Sequence, residues 1–255
     1  MKASIVIANY NNSNFIEECI NSLNSQTYKD LEIIFFDDNS SDNSLDIIKK
    51  FNNVKIIQNS FQTKFGSFNQ MNAFKKCVQI CTGNVILFLD SDDFFEKEKV
   101  EKVINFFLEN KNKKIVFDFP TLINKDKKLR IKKKKNFFST YWGYIHPTSC
   151  ISIQRKFIGE IFNKIISDKF TDIWLDLRIL IFSKYIDEYN VIEENLTLYR
   201  QIDSNISSKF KKFNKKWWKR RNEAHNYFFD FVKTNNLKVK KNLDFYITKI
   251  INKLI

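Results

Sequence analysis

The run Asn84-Val85-Ile86-Leu87-Phe88-Leu89-Asp90-Ser91-Asp92-Asp93 constrains the fold of this chain more than any other stretch. Five consecutive apolar residues, β-branched at Val85 and Ile86, predict a strand buried on both faces. Such strands belong to sheets covered by helices on each side. This one ends in three carboxylates within four positions. Carboxylates so crowded repel one another unless a cation or a donor-rich ligand lies among them. Asp90 and Asp92, offering only oxygen, suit Mg²⁺ or Mn²⁺ held jointly with substrate phosphates. An Asp-rich turn capping a helix near Glu96 would give the same letters, so the rest of the chain must decide.

The chain before this strand alternates strand and helix signals. Ala3–Ala8 reads as a short buried strand followed by the turn Asn9-Tyr10-Asn11-Asn12. Asn14 with Glu17 has the spacing of a capping box, and Ile16, Cys19, Ile20 and Leu23 repeat at helical period. Leu31–Phe36 is a second strand ending in Asp37-Asp38-Asn39, and Asp42 can cap the helix that follows. Val54–Ile57 is a third strand, and 66–81 a helix. Alternation at this spacing predicts an α/β fold, a mostly parallel Rossmann-like sheet flanked by helices. In such sheets ligands lie beyond the carboxyl ends of the strands. Three polar strand ends on one edge therefore form a site, which favours the functional reading of Asp90 and Asp92 over the capping one.

These segments resemble glycosyltransferase family 2, the inverting, nucleotide-sugar-dependent enzymes of GT-A fold. The resemblance is carried by SIVIANYNN, the helix ending in SLNSQTY, EIIFFDDNSSDNS and ILFLDSDD, in matching order and spacing over about the first 110 residues. It implies that Asp38 reads the pyrimidine edge of the nucleotide, that Ala8 and Tyr10 flank the base, and that Asp90 sits near the ribose. Asp92 would ligand the metal, Mn²⁺ or Mg²⁺, on the diphosphate. Family members often carry a Gly-containing turn and an Arg before the third helix, where this chain has Gln62-Thr63-Lys64-Phe65-Gly66. Neither GxGxxG nor GxxxxGK[ST] occurs, which removes dinucleotide and P-loop readings.

Further along, residues 100–108 predict an amphipathic helix and 115–119 a strand, followed by the charge run 125–135, read as a solvated hairpin or loop. Strand character returns over 146–153, where the family's sugar-binding half begins, so His146 is a candidate for the acceptor site. A helix is expected to begin at Asp172, with Ile173, Trp174 and Leu177 buried. By resemblance to the family's acidic residue with an Arg six positions on, Asp172 is the expected catalytic base and Arg178 its companion; Asp176 lies one turn further in. Leu198 to Ser207 resembles the family's closing strand and loop, where Tyr199, Arg200 and Asn205 approach the donor. The expected division is a catalytic domain over 1–207, with a nucleotide-binding half (1–118) and an acceptor-binding half (119–207), then a basic amphipathic helical tail over 208–255.

The net charge of +14 is concentrated in that tail, where residues 207–255 hold 14 Lys and Arg against 3 Asp and Glu. Trp217, Trp218, Phe210 and Phe213 interleave with the cations, which suits an anionic membrane surface. The same residues could instead be two helices packed on the domain with a solvated Lys face. No nucleic-acid motif is present and no nucleic acid partner is expected. No apolar run approaches the length of a spanning helix, and the N-terminal apolar segment reads as a strand rather than a signal peptide, so a cytoplasmic location is expected, peripheral at the inner face of the plasma membrane. Cys19, Cys77, Cys81 and Cys150 form no CxxC pair and are expected as core residues.

The resulting expectation is an inverting transferase that moves a sugar from a nucleotide diphosphate sugar, with uridine the favoured base, to a hydroxyl of a glycan or lipid-linked acceptor in cell-surface polysaccharide synthesis. One rival is a sugar-nucleotide pyrophosphorylase, which would want a Gly-rich, cationic N-terminal loop where Ala8-Asn9-Tyr10-Asn11-Asn12 stands. The other is a catalytically inactive relative that docks on membrane or nucleic acid through its tail; the joint presence of Asp38, Asp90, Asp92 and Asp172 argues against it.

Overall fold

The computed structural model describes residues 1–124, 127–132, 140–201 and 212–255. In chain order the first half runs β1 (Ala3–Asn9), α1 (Ser13–Asn24), β2 (Leu31–Asp37), α2 (Ser44–Ile48), β3 (Val54–Gln58), α3 (Gly66–Ile80) and β4 (Val85–Asp90). After it come β5 (Phe94–Phe95), α4 (Lys99–Glu109), β6 (Ile115–Asn124), β7 (Lys127–Arg130), β8 (Ile151–Gln154), α5 (Ile158–Ile165), α6 (Leu175–Tyr185) and β9 (Val191–Arg200). Two helices follow, α7 (Lys215–Thr234) and α8 (Leu243–Leu254).

Among the described residues nine strands form one sheet, ordered β3-β2-β1-β4-β8-β6-β9-β5, with β7 on β6. The first four are parallel. The sheet then becomes mixed: β8 is antiparallel to β4, β6 antiparallel to β8, and β9 parallel to β6. Successive residues of a strand point to opposite faces, and both faces here are apolar. Val6, Ile34, Phe36, Ile86 and Phe88 pack with helices α3, α5, α6 and α7, while Ile5, Ile7, Ile33, Phe35 and Leu87 pack with α1, α2 and α4. All four cysteines are buried and free.

Pairing register brings the polar strand ends level: Asn9 pairs with Asp37, and Ala8 with Asp90. Asn11 and Asn39, in the turns after β1 and β2, have φ of 53° and 58°, a region asparagine tolerates better than most side chains. At the opposite end of the sheet Gly83 admits no side chain, since a Cβ would lie 2.7 Å from the Ala3 backbone carbon.

The start of α1 differs from expectation. Asn14 and Glu17 form no capping box; Asn12 is the cap residue and makes no side-chain capping bond. The N–H of Ser13 donates instead to Asp42 Oδ2 at 2.9 Å, while Asp42 Oδ1 accepts from the Ser44 N–H at 3.0 Å. One carboxylate thus serves two helix starts, satisfying donors that a helix leaves open.

Helix α7 buries Ala224, His225, Tyr227, Phe228, Phe231 and Val232, joining the apolar cluster of α3, α5 and α6. The expected boundary at 207/208 falls outside the described residues, as do Asn205 and Phe210. Only part of the run 125–135 is described; there β7 forms a hairpin with β6. Among the described residues no helix is long and apolar enough to cross a membrane.

Candidate active site

A cavity of about 650 Å³ opens at the carboxyl ends of β1, β2 and β4. Its carboxylates are Asp38, Asp90, Asp92 and Asp176, and its cations are Lys64 and Arg220. Of the residues singled out from the sequence, Ala8, Tyr10, Asp38, Asp90, Asp92 and Tyr199 line it.

The walls are locked by a polar network at the strand ends. Asn9 donates from Nδ2 to Asp37 Oδ1 at 2.8 Å and accepts from Ser91 Oγ at 2.8 Å, tying β2, β1 and β4 together. Asp37 is thereby consumed in structure, whereas its neighbour Asp38 borders the cavity, accepting from Asn59 Nδ2 at 2.7 Å and Gln62 Nε2 at 2.9 Å. Tyr10 is half exposed beside it.

Burial, and next the charge of Asp92, push the Asp90 carboxyl up to about 7, although Gln70 Nε2 donates to it at 2.9 Å. The Oε1 of the same Gln70 is buried without a partner. Burial also raises Asp92, opposed by the cation of Arg200. Asp93 points away from the cavity, its carboxylate held by Ser149 Oγ at 2.6 Å and the Arg200 N–H at 2.9 Å. Behind the turn lies a buried ion pair, Lys99 to Asp118 at 2.8 Å, with Lys99 Nζ also donating to the Ser149 carbonyl at 2.6 Å.

Four expected site residues are placed elsewhere. Asp172 is not in the first turn of a helix; α6 begins at Leu175, and Asp172 is exposed, its N–H donating to Glu223 Oε1 at 3.2 Å. Asp176 occupies the first turn and lines the cavity with Trp174. Its carboxyl is raised by burial, opposed by the charge of Arg220 on α7.

The cause of that shift in helix start is Arg178. It is fully buried and donates to the carbonyls of Ile173 (2.9 Å), Ile165 (2.8 Å) and Phe170 (2.9 Å). A guanidinium that collects carbonyls from the approach segment holds it out of the helical ladder. Arg178 is therefore a clamp behind α6 rather than a ligand contact. His146 is likewise buried, bonded through Nδ1 to the Asp118 carbonyl at 2.7 Å and through Nε2 to Tyr189 Oη at 2.6 Å. Burial drops it to about 4, so it stays neutral behind the sheet and does not reach the cavity. Arg200 also stands behind the wall, donating from Nε to the Asp92 carbonyl at 3.0 Å and stacking on Phe15 and Phe94. Arg220, Lys64, Gln70 and Trp174 line the cavity without having been named as site residues; Arg220 lies in a run of cations, and no motif marks the other three.

The two carboxylates Asp90 and Asp92 fit a hard divalent cation, since burial and mutual repulsion leave them in need of positive charge. Among the described residues no group of three or more His, Cys, Asp or Glu forms a preformed cage. The remaining ligands would come from phosphate oxygens and water, the usual arrangement for Mg²⁺.

A parallel half continued by mixed strands, with carboxylates at the switch, defines the GT-A class of α/β protein. Staphylococcus aureus TarS, residues 1–349 in complex with UDP-GlcNAc, superposes with a TM-score of 0.66 at 16% identity, covering 99% of this chain and 70% of that one. A mannosyltransferase from Pyrobaculum calidifontis, in complex with GDP-Man and Mn²⁺, gives 0.58 at 14% identity, covering 99% and 69%. The chain belongs to glycosyl transferase family 2, whose profile matches residues 4–165. An uncharacterized glycosyltransferase of Nostoc sp. is 28% identical over 78% of this chain and 65% of its own length. The poly(ribitol-phosphate) beta-glucosyltransferase of Bacillus spizizenii is 41% identical over 118 residues, 44% of this chain and 18% of that protein. An Escherichia coli UDP-Glc:alpha-D-GlcNAc-diphosphoundecaprenol beta-1,3-glucosyltransferase is 36% identical over 46% of this chain and 44% of its own. The chain thus spans between about a fifth and two thirds of the length of these three curated relatives.

Proposed function

We propose that this chain transfers a sugar, with inversion, from a UDP-sugar to a hydroxyl of a glycan or lipid-linked acceptor in cell-surface polysaccharide synthesis. The observation that carries this reading is the convergence of Asp38, the Asp90–Asp92 pair and Asp176 on one cavity. Relatives acting on poly(ribitol-phosphate) and on a diphosphoundecaprenol-linked sugar support the acceptor class.

In this reading Asp38 accepts the N3–H of uracil, with Ala8 and Tyr10 beside the base, and Asp90 and the unpartnered Gln70 Oε1 take ribose hydroxyls. Asp92, with Asp90, would hold Mn²⁺ or Mg²⁺, which supplies charge neutralisation for the departing nucleoside diphosphate. Asp176 replaces Asp172 as the general base. It removes the acceptor hydroxyl proton while that oxygen bonds to the anomeric carbon; the bond from that carbon to the phosphate oxygen breaks, and its electron pair leaves on the diphosphate. A single displacement of this kind inverts the anomeric centre. Arg220 and Lys64 offer cations for phosphate groups in the same cavity, which Tyr199 also lines. The basic segment 208–255 is read as bringing the chain to an anionic membrane surface.

The test is hydrolysis of a panel of UDP-, GDP- and dTDP-sugars with Mn²⁺, beside the same panel in excess EDTA. UDP-sugar turnover that EDTA abolishes is expected; full turnover in EDTA contradicts the metal, and a preference for a purine nucleotide contradicts the role of Asp38.

A further inference from the structure

Helix α8 carries its polar and apolar sides the opposite way round from a helix laid on a core. Toward α7 it presents polar groups. Asp244 Oδ1 accepts from Arg221 Nε at 3.0 Å, and Oδ2 stands 3.2 Å from His225 Nε2. Lys249 donates to Asn222 Oδ1 at 2.7 Å, and Asn252 donates to the Trp218 carbonyl at 2.9 Å. Phe245 adds an edge-on contact with Phe229. Outward it presents Leu243, Tyr246, Ile247, Ile250 and Leu254, exposed by 72, 53, 41, 60 and 79%. Positions i, i+3, i+4, i+7 and i+11 form one stripe along a helix. The polar contacts fix this orientation, because turning the stripe inward would leave the Asp244 carboxylate and the Arg221 guanidinium without each other.

The surroundings of the stripe are cationic. Lys238, Lys240 and Lys241 are exposed just before the helix, and Lys253 is exposed at its last turn. From Lys233 to Ile255 the single acidic side chain is Asp244, which faces inward. The Asn252–Trp218 bond sets the end of α8 beside the start of α7, where Phe213 is 72% exposed and Lys215, Lys216 and Lys219 are exposed too.

We propose that the outer face of α8, with Phe213 beside its end, is an interfacial docking surface for anionic lipid. Apolar side chains along one face of a helix enter the acyl boundary while flanking lysines meet the phosphates. Charge favours this occupant over a second copy of the chain: pairing two such faces would set lysines against lysines on molecules that each carry +14. Arg220, two residues from Trp218, lines the sugar-transfer cavity, so a docked α8 sets that cavity close to the lipid surface. The proposal specifies the membrane contact of the reading above and does not depend on its chemistry, so the two fail separately.

The test is co-sedimentation of the full chain with vesicles of phosphatidylglycerol and phosphatidylcholine, against phosphatidylcholine alone, with sedimentation velocity run in parallel. The parent is expected on the anionic vesicles only, and to be released as salt is raised. Ile250→Glu should weaken partitioning about tenfold by setting a charge where an apolar group was buried. Leu129→Glu, on the exposed β7 hairpin, should change nothing. Hydrolysis of a UDP-sugar in vesicle-free buffer should be equal for parent and Ile250→Glu; a silent parent there sinks the transferase reading alone. Equal vesicle binding by parent and Ile250→Glu, no binding by the parent, or a dimer that Ile250→Glu dissociates would each overturn the docking proposal.

Discussion

Arg200 reaches from the end of β9 to the turn after β4, its Nε donating to the main-chain oxygen of Asp92 across 3.0 Å. The backbone N–H of the same residue donates to Asp93 Oδ1, its Nη2 meets Glu18, and its plane lies over Phe15 and Phe94. Three parts of the chain distant in sequence thereby fix where the Asp92 carboxylate points. A residue that acts by holding another should, when removed, affect turnover more than donor binding. Arg200→Ala is expected to lower kcat by roughly 10–100-fold, the size of one or two lost charge-assisted hydrogen bonds. Arg200→Lys should recover little of it, since an ammonium cannot stack and bond in that fixed plane. Unchanged kcat with a raised KM for donor would mean that Arg200 contacts the nucleotide instead.

Asp38→Ala should weaken UDP binding by about 1.5–3 kcal/mol, the worth of a hydrogen bond to a charged acceptor. Its two partners, Asn59 and Gln62, lose their acceptor as well, so Asp38→Asn is the better comparison for shape. Calorimetry with UDP and with CMP separates the roles: the loss is expected for the nucleotide that carries an N3–H and not for the other. Equal UDP affinity for mutant and parent removes Asp38 from base recognition.

The other end of the sheet sets a pH limit on stability. Burial pushes the Glu32 carboxyl up, but bonds from Lys55, Ser4 and Thr82 outweigh it and hold the group well below the ordinary glutamate value of 4.5. A carboxyl depressed in the folded state stabilises above its unfolded value and loses that contribution as pH falls toward the folded one. Glu32→Gln should therefore cost about 1–3 kcal/mol at pH 7, and the gap to the parent should narrow steadily below pH 4.5. Urea midpoints from pH 8 to 3 read it directly; a gap that widens on acidification contradicts the assignment.

The buried pair Lys99–Asp118 predicts a larger effect. Lys99→Met leaves Asp118 uncompensated inside the protein, at a cost of about 3–5 kcal/mol. The double change Lys99→Met with Asp118→Leu should restore much of it. Thermal unfolding of the three variants checks this, and an additive double mutant would show that the pair is not coupled.

Much of the parallel first half was legible because its signals are local: an apolar run long enough for a strand, then Asn or Asp at its end, repeated three times. The second half was less so. Asp172 and Asp176 are one turn apart and would share a face of any helix covering both, so periodicity does not choose between them. What decides is Arg178, whose bonds to the Phe170 and Ile173 carbonyls hold the segment before Leu175 out of the helix. Bonds to main-chain carbonyls leave no pattern in the letters of their partners, and the bond from His146 to the Asp118 carbonyl is of the same kind. Arg220 was hidden differently, inside a run of cations where nothing marks the one that lines the cavity.

The most direct measurement is the turnover of a UDP-sugar by Asp176→Asn beside Asp172→Asn, each with donor affinity measured on the same preparation. Asparagine keeps shape and removes the proton acceptor, so Asp176→Asn should slow turnover by about 10²–10⁴-fold, with donor affinity nearly unchanged. Asp172→Asn, at an exposed position outside the cavity, should stay within a few-fold of the parent. The reverse order, with Asp172→Asn inactive and Asp176→Asn active, would contradict the assignment of the base and the placement of α6 on which it rests.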